Sequence, residues 1–132
     1  AVRDHDTLLV VDPPYADRRE WSDVPAALGR ALARFPETRV LLWYPVKSHA
    51  RPNAMFGELA AHFAGVALEL ITTPLTFKKN RLNGSGLVVS GAPEGVVPEL
   101  SALATALGPE LSLGEGFWQT RGLAWARASA GL

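Results

Sequence analysis

Four apolar residues, Leu8 to Val11, run without a polar break into Asp12-Pro13-Pro14-Tyr15. An unbroken run of that kind, stopped by a proline pair, predicts a short strand buried on both faces, as in a parallel sheet. Behind it, Val24, Leu28, Ala31, Leu32 and Phe35 recur at helical spacing. Ser22 or Asp23 would cap that helix, Pro25 is tolerable in its first turn, and Pro36 ends it. A second apolar run, Arg-Val-Leu-Leu-Trp-Tyr-Pro-Val-Lys at 39–47, reads as a strand stopped by Pro45. A second helix is expected from about Asn53, through Phe56, Leu59, Ala60 and Phe63, to Gly65.

The period then changes. Residues 66–75 and 86–91 have strand composition, and the segment between them carries no helical repeat, so the two are expected to form an antiparallel hairpin. A third helix is expected to open at Pro98, follow Leu100, Leu103, Ala104 and Leu107, and close at Gly108. The tail from Leu111 to Trp125 has no clear period. The order strand, helix, strand, helix, strand, strand predicts an α/β layout with an antiparallel C-terminal hairpin, and right-handed crossovers put the first two helices on one face.

Composition narrows the classes. The chain has 132 residues, enough for a single domain, with 13 basic and 13 acidic residues and no cysteine. Zero net charge advertises neither nucleic acid nor an anionic membrane, although Lys78, Lys79 and Arg81 form a local basic cluster beside Phe77. Disulfides and thiolate metal sites are excluded. His5, His49 and His62 match no metal spacing, so no metal is expected. No apolar run approaches the roughly 18 residues of a membrane span, and a cytoplasmic protein is the expectation. The first residue is Ala1, with few residues before the first strand, and a truncated piece of a longer protein is expected. His62 is expected on the surface of the second helix. Trp43, Trp118, Trp125, Phe56 and Phe63 are expected in or at the edge of the core, with Trp21 open to either role.

Candidate chemistry gathers at the end of the first strand. Open α/β sheets bind ligands beyond the carboxyl ends of their strands. Two prolines there fix the backbone and leave carbonyl oxygens without neighbouring donors. Asp12 and the carbonyls of Pro13 and Pro14 would form a rigid rim of acceptors with the Tyr15 ring beside it. Such a rim suits an exocyclic amine on a flat ring. Lys47, just past the second strand, is a candidate contact to phosphate or base.

Asp12-Pro13-Pro14-Tyr15 resembles the (Asp/Asn)-Pro-Pro-aromatic motif of S-adenosylmethionine-dependent methyltransferases that modify nucleobase amines. Leu-Trp-Tyr-Pro-Val-Lys at 42–47 and Asn-Gly-Ser-Gly-Leu-Val-Val-Ser-Gly-Ala-Pro at 83–93 resemble the RlmJ family, adenine-N6 methyltransferases of 23S ribosomal RNA. The resemblance implies the C-terminal half of a Rossmann-like sheet, from the fourth strand onward, with the glycine-rich cofactor loop on earlier strands. It implies S-adenosylmethionine as cofactor, with Asp12 at its edge, and ribosomal RNA as partner. Catalysis would fall to Asp12, Pro13, Pro14 and Tyr15, and substrate binding to Tyr15, Lys47, Lys78, Lys79 and Arg81. One departure is Ser90-Gly91-Ala92-Pro93, where family members carry an Asn-Pro-Pro-Trp-like stretch. Two other readings stay open: a P-loop nucleotide hydrolase with Leu-Leu-Val-Val-Asp as its acidic motif, and a non-catalytic nucleic-acid-binding remnant of the methyltransferase fold.

Overall fold

Strand and helix alternate through β1 (Leu8–Val11), α1 (Glu20–Arg34), β2 (Arg39–Val46) and α2 (Ala50–Ala60). The pair β3 (Gly65–Ile71) and β4 (Gly84–Ser90) follows, then α3 (Val96–Leu111) and β5 (Gln119–Trp125). The structure is a computed structural model that describes residues 7–75, 82–112 and 116–128.

The five strands form one sheet in the order β1-β2-β4-β3-β5. Only β1 and β2 pair in parallel; β4 lies antiparallel between β2 and β3, and β5 lies antiparallel outside β3. The expected β3–β4 hairpin is present and the chain has the α/β class expected of it. Residues of even number in β2 (Val40, Leu42, Tyr44, Val46) point into one core with Leu28 and Leu32 of α1 and Met55, Phe56 and Leu59 of α2. Each such fully buried aliphatic side chain contributes about 1.5–3 kcal/mol. Helix α3 packs on the opposite face, against β3 and β5.

Several boundaries differ from those the pattern predicts. Strand β1 is not buried on both faces: Leu8 and Val10 are 55% and 62% exposed, because β1 is an edge strand whose outward face no described element covers. Helix α1 begins at Glu20, so Ser22 and Asp23 lie inside it. The reason is local. Asp17 accepts the Arg19 N–H at 2.9 Å while Glu20 accepts the Asp17 N–H at 3.2 Å, a reciprocal cap that starts the helix early.

Pro45 does not stop β2, which continues through Val46. The Val46 carbonyl accepts the Asn83 N–H on the β4 side, so by alternation Pro45 turns its nitrogen toward β1. There β1 has already ended, opposite Leu42, and no donor is needed.

Helix α2 begins at Ala50 rather than at Asn53, and ends before Gly65, which opens β3. Strand β3 stops at Ile71, short of Leu75, and β4 starts at Gly84, two residues before the expected Gly86. Helix α3 starts at Val96 with Pro98 in its first turn, where a missing donor costs nothing, and runs past Gly108 to Leu111. Gly108 is needed because the Trp118 ring lies against it: a Cβ there would sit 2.4 Å from that ring. His62 follows α2 and packs on Gly29 of α1, so it is not a surface residue of the helix.

Strand β5 carries no period in the sequence because its outer face is exposed. Only Arg121 and Trp125 turn inward.

Candidate functional site

The corner after β1 is built by what β1 fails to cover. Backbone groups of odd-numbered residues in β2 face β1, which ends opposite Leu42, so the Trp43 carbonyl would be left without a strand partner. Tyr15 supplies one: its hydroxyl donates to the Trp43 oxygen at 2.9 Å. To reach it, Tyr15 adopts φ of 50°, a left-handed conformation that a non-glycine residue holds only when its surroundings fix it. Here the fixing contacts are the hydrogen bond, the Trp21 ring at 4.6 Å and the Trp43 ring at 5.9 Å. Burial pushes the Tyr15 phenol well above its usual range, helped by the carboxylates of Glu20 and Asp12. Tyr15 is therefore a neutral hydrogen-bond donor at any ordinary pH.

Asp12 is exposed, and among the described residues it has no side-chain hydrogen bond or ion pair. It borders a hollow of about 470 Å³ walled by Val10, Val11, Leu41, Trp43 and Leu87. Tyr15 borders a different one, a cleft of about 390 Å³ shared with Trp21, Pro45, Lys47, Ser48, Arg51 and Pro52. Lys47 thus stands with Tyr15 and not in the hollow of Asp12. Lys78, Lys79 and Arg81 lie outside the described residues.

The cleft holds residues to which the sequence reading gave no site role. Trp21 comes from the first turns of α1, while Ser48, Arg51 and Pro52 come from the start of α2. A signal was available for Trp21, since the Asp17 to Glu20 capping pair fixes where α1 begins. Ser48 and Arg51 carried none, because their relation to Tyr15 exists only across the sheet.

Behind the cleft, the first turn of α2 is tied down by a buried polar cluster. Glu69 of β3, 1% exposed, accepts from Tyr44 at 2.7 Å and from Arg121 Nε and Nη2 at 2.8 and 2.9 Å. Arg121 Nη2 also donates to Asn53 at 3.1 Å, and His49 Nδ1 stands 3.7 Å from Glu69 Oε1. Burial, and then the bond and charge of Glu69, push the Tyr44 phenol far above its usual range. The Tyr44 ring lies over Gly86 directly across the strand pair, where a Cβ would be 2.1 Å from it. Glycine there is the condition for the cluster to close.

Among the described residues no group of three or more His, Asp or Glu could hold a metal ion, and no helix is long and apolar enough to cross a membrane.

Comparison with known proteins matches the chain to a family model and to solved structures. A family model described as ribosomal RNA large subunit methyltransferase D, RlmJ, matches residues 2–125. The crystal structure of protein LPL1258 from Legionella pneumophila str. Philadelphia 1 superposes with a TM-score of 0.75 at 21% sequence identity, over 92% of this chain. At that identity the likeness is one of fold, and the chain spans 44% of that protein's length. No curated protein matches the chain.

Proposed function

The chain belongs to the RlmJ family of ribosomal RNA large subunit methyltransferases, and we propose that it carries the amine-activating half of an adenine-N6 methyltransferase acting on 23S ribosomal RNA. The observation that carries this reading is Asp12: an exposed carboxylate at a strand's end with no side-chain partner among the described residues, followed by two prolines and by Tyr15, which borders an aromatic cleft.

The chemistry follows from the amine. The lone pair of an adenine exocyclic nitrogen is delocalised into the ring, which makes it a poor nucleophile. Asp12 and the Pro13 carbonyl would each accept one of its hydrogens, drawing the nitrogen toward tetrahedral geometry and localising the pair. The carboxylate would also offset the positive charge that develops there, a form of preorganised electrostatics, and then take the released proton. Tyr15, neutral and held by Trp43, offers its cleft-side face to the base, whose extrusion from a stack costs a few kcal/mol.

S-adenosylmethionine supplies the methyl group when bound. The described residues fit one edge of it, since a carboxylate complements a sulfonium cation and Asp12 has no side-chain partner among the described residues. A P-loop hydrolase is disfavoured by the antiparallel β4 between β2 and β3 and by Pro13 in the position after the acid.

The test uses the full-length parent protein, a labelled methyl donor and unmodified 23S ribosomal RNA. Asp12→Ala is expected to lower transfer by roughly 100-fold or more, the scale of losing one preorganised charge-stabilising group. Equal transfer by both proteins would remove Asp12 from the mechanism, and no transfer by the wild type would leave a non-catalytic nucleic-acid-binding role.

A further inference from the structure

The cleft beside Tyr15 is chemically divided. Tyr15 and Trp21 make an aromatic wall with their rings inclined at 45°, while Lys47 and Arg51 add two cations to the lining of the same cleft. Among the described residues neither cation has a carboxylate partner. Arg19 nearby is paired to Asp17 at 2.9 Å, and Arg121 is paired to Glu69 at 2.8 Å.

Arg51 is also misplaced for helix stability. It stands in the first turn of α2, which contains no acidic residue and has no side-chain cap, where a cation opposes the helix dipole. A cation kept in an unfavourable place without a partner is available for an external anion. The floor beneath it is stiff: Pro45 and Pro52 are buried, and the Glu69 cluster holds the same helical turn through Asn53. A cleft of about 390 Å³ lies in the range of small-ligand sites.

We propose that Lys47 and Arg51 form an anion subsite that grips a backbone phosphate of the substrate strand while the adjoining base lies against Tyr15 and Trp21. The cleft therefore selects a nucleotide within a strand over a free nucleoside. This rests on the methyl-transfer reading for the identity of the strand, but the binding it describes is separable from transfer.

The experiment measures binding of adenosine 5′-monophosphate and of adenosine to the full-length parent by equilibrium dialysis. The monophosphate is expected to bind about tenfold more tightly, a charge-assisted preference that Arg51→Gln and Lys47→Gln each reduce several-fold without weakening adenosine. Trp21→Leu weakens both ligands alike. In transfer assays Arg51→Gln raises KM for ribosomal RNA more than it lowers kcat, and flattens the slope of log affinity against log salt by about 1. Because both cations are exposed, their variants fold.

Equal binding of the two ligands by the wild type would overturn the proposal. So would an Arg51→Gln protein with the preference and the salt slope intact. The two readings fail separately. If Asp12→Ala keeps both transfer and the monophosphate preference, the methyl-transfer mechanism falls and the anion subsite stands. If Asp12→Ala abolishes transfer while the cation variants change nothing, the subsite falls alone.

Discussion

Two carboxylates of one sheet face opposite circumstances. Glu69 is 1% exposed and its oxygens accept three hydrogen bonds, from Tyr44 and twice from Arg121. Asp12 is exposed and has no side-chain partner among the described residues. A buried charge is tolerable only when its lone pairs are engaged, so Glu69 is committed to joining β2, β3, β5 and α2. Asp12 stands instead at a strand's end beside Val10, Val11, Leu41, Trp43 and Leu87. Saturation marks Glu69 as a structural acid and sets it apart from Asp12, the candidate site acid, more surely than sequence position does.

The largest effect should come from Glu69→Ala. It leaves the Arg121 guanidinium and the Tyr44 hydroxyl without their acceptor, and a loss of about 3–5 kcal/mol is expected in urea unfolding. A stability close to that of the wild type would erase the distinction drawn here. Asp12→Ala is the complementary change: unfolding free energy should stay within about 0.5 kcal/mol of wild type, as at an exposed site, while methyl transfer by the full-length protein falls by roughly 100-fold or more. A large stability loss at Asp12 would make both acids structural.

Tyr44→Phe should cost about 1–2 kcal/mol by leaving one Glu69 oxygen short of a donor. It also changes the pH dependence. The native state holds the Tyr44 proton more tightly than the unfolded chain, whose phenols titrate near about 10. The unfolded state therefore loses protons first as pH rises, and stability declines above that point. Removing the Tyr44 hydroxyl should make the decline shallower, read as unfolding free energy between pH 8 and pH 11. Tyr15→Phe should cost less than Tyr44→Phe, about 1 kcal/mol, from the unpaired Trp43 carbonyl. Its sharper readout is a weaker fit of the base, because only the Trp21 and Trp43 ring contacts then hold the residue in its left-handed backbone conformation.

Much of this was legible residue by residue. The apolar runs located β1, β2 and the β3–β4 hairpin, and Asp12-Pro13-Pro14-Tyr15 marked the candidate site. The start of α1 is misread from the pattern: Ser22 and Asp23 stand out as its caps, whereas the Asp17–Glu20 pair sets it earlier, at Glu20. Glu69 and Arg121 gave no warning: an acid in an apolar strand and an arginine in an unpatterned tail acquire meaning only when registered across β3 and β5.

By itself the sequence determined the elements and the motif, because helical period, β-branched runs and proline act over a few residues. Tertiary structure decided where β4 inserts, which residues of β5 turn inward, and that Trp21, Lys47 and Arg51 share a cleft with Tyr15 while Asp12 faces another hollow. Those outcomes depend on strand order and on which backbone groups the short β1 leaves uncovered. Both are set by contacts between residues distant in the chain, and no local pattern records them.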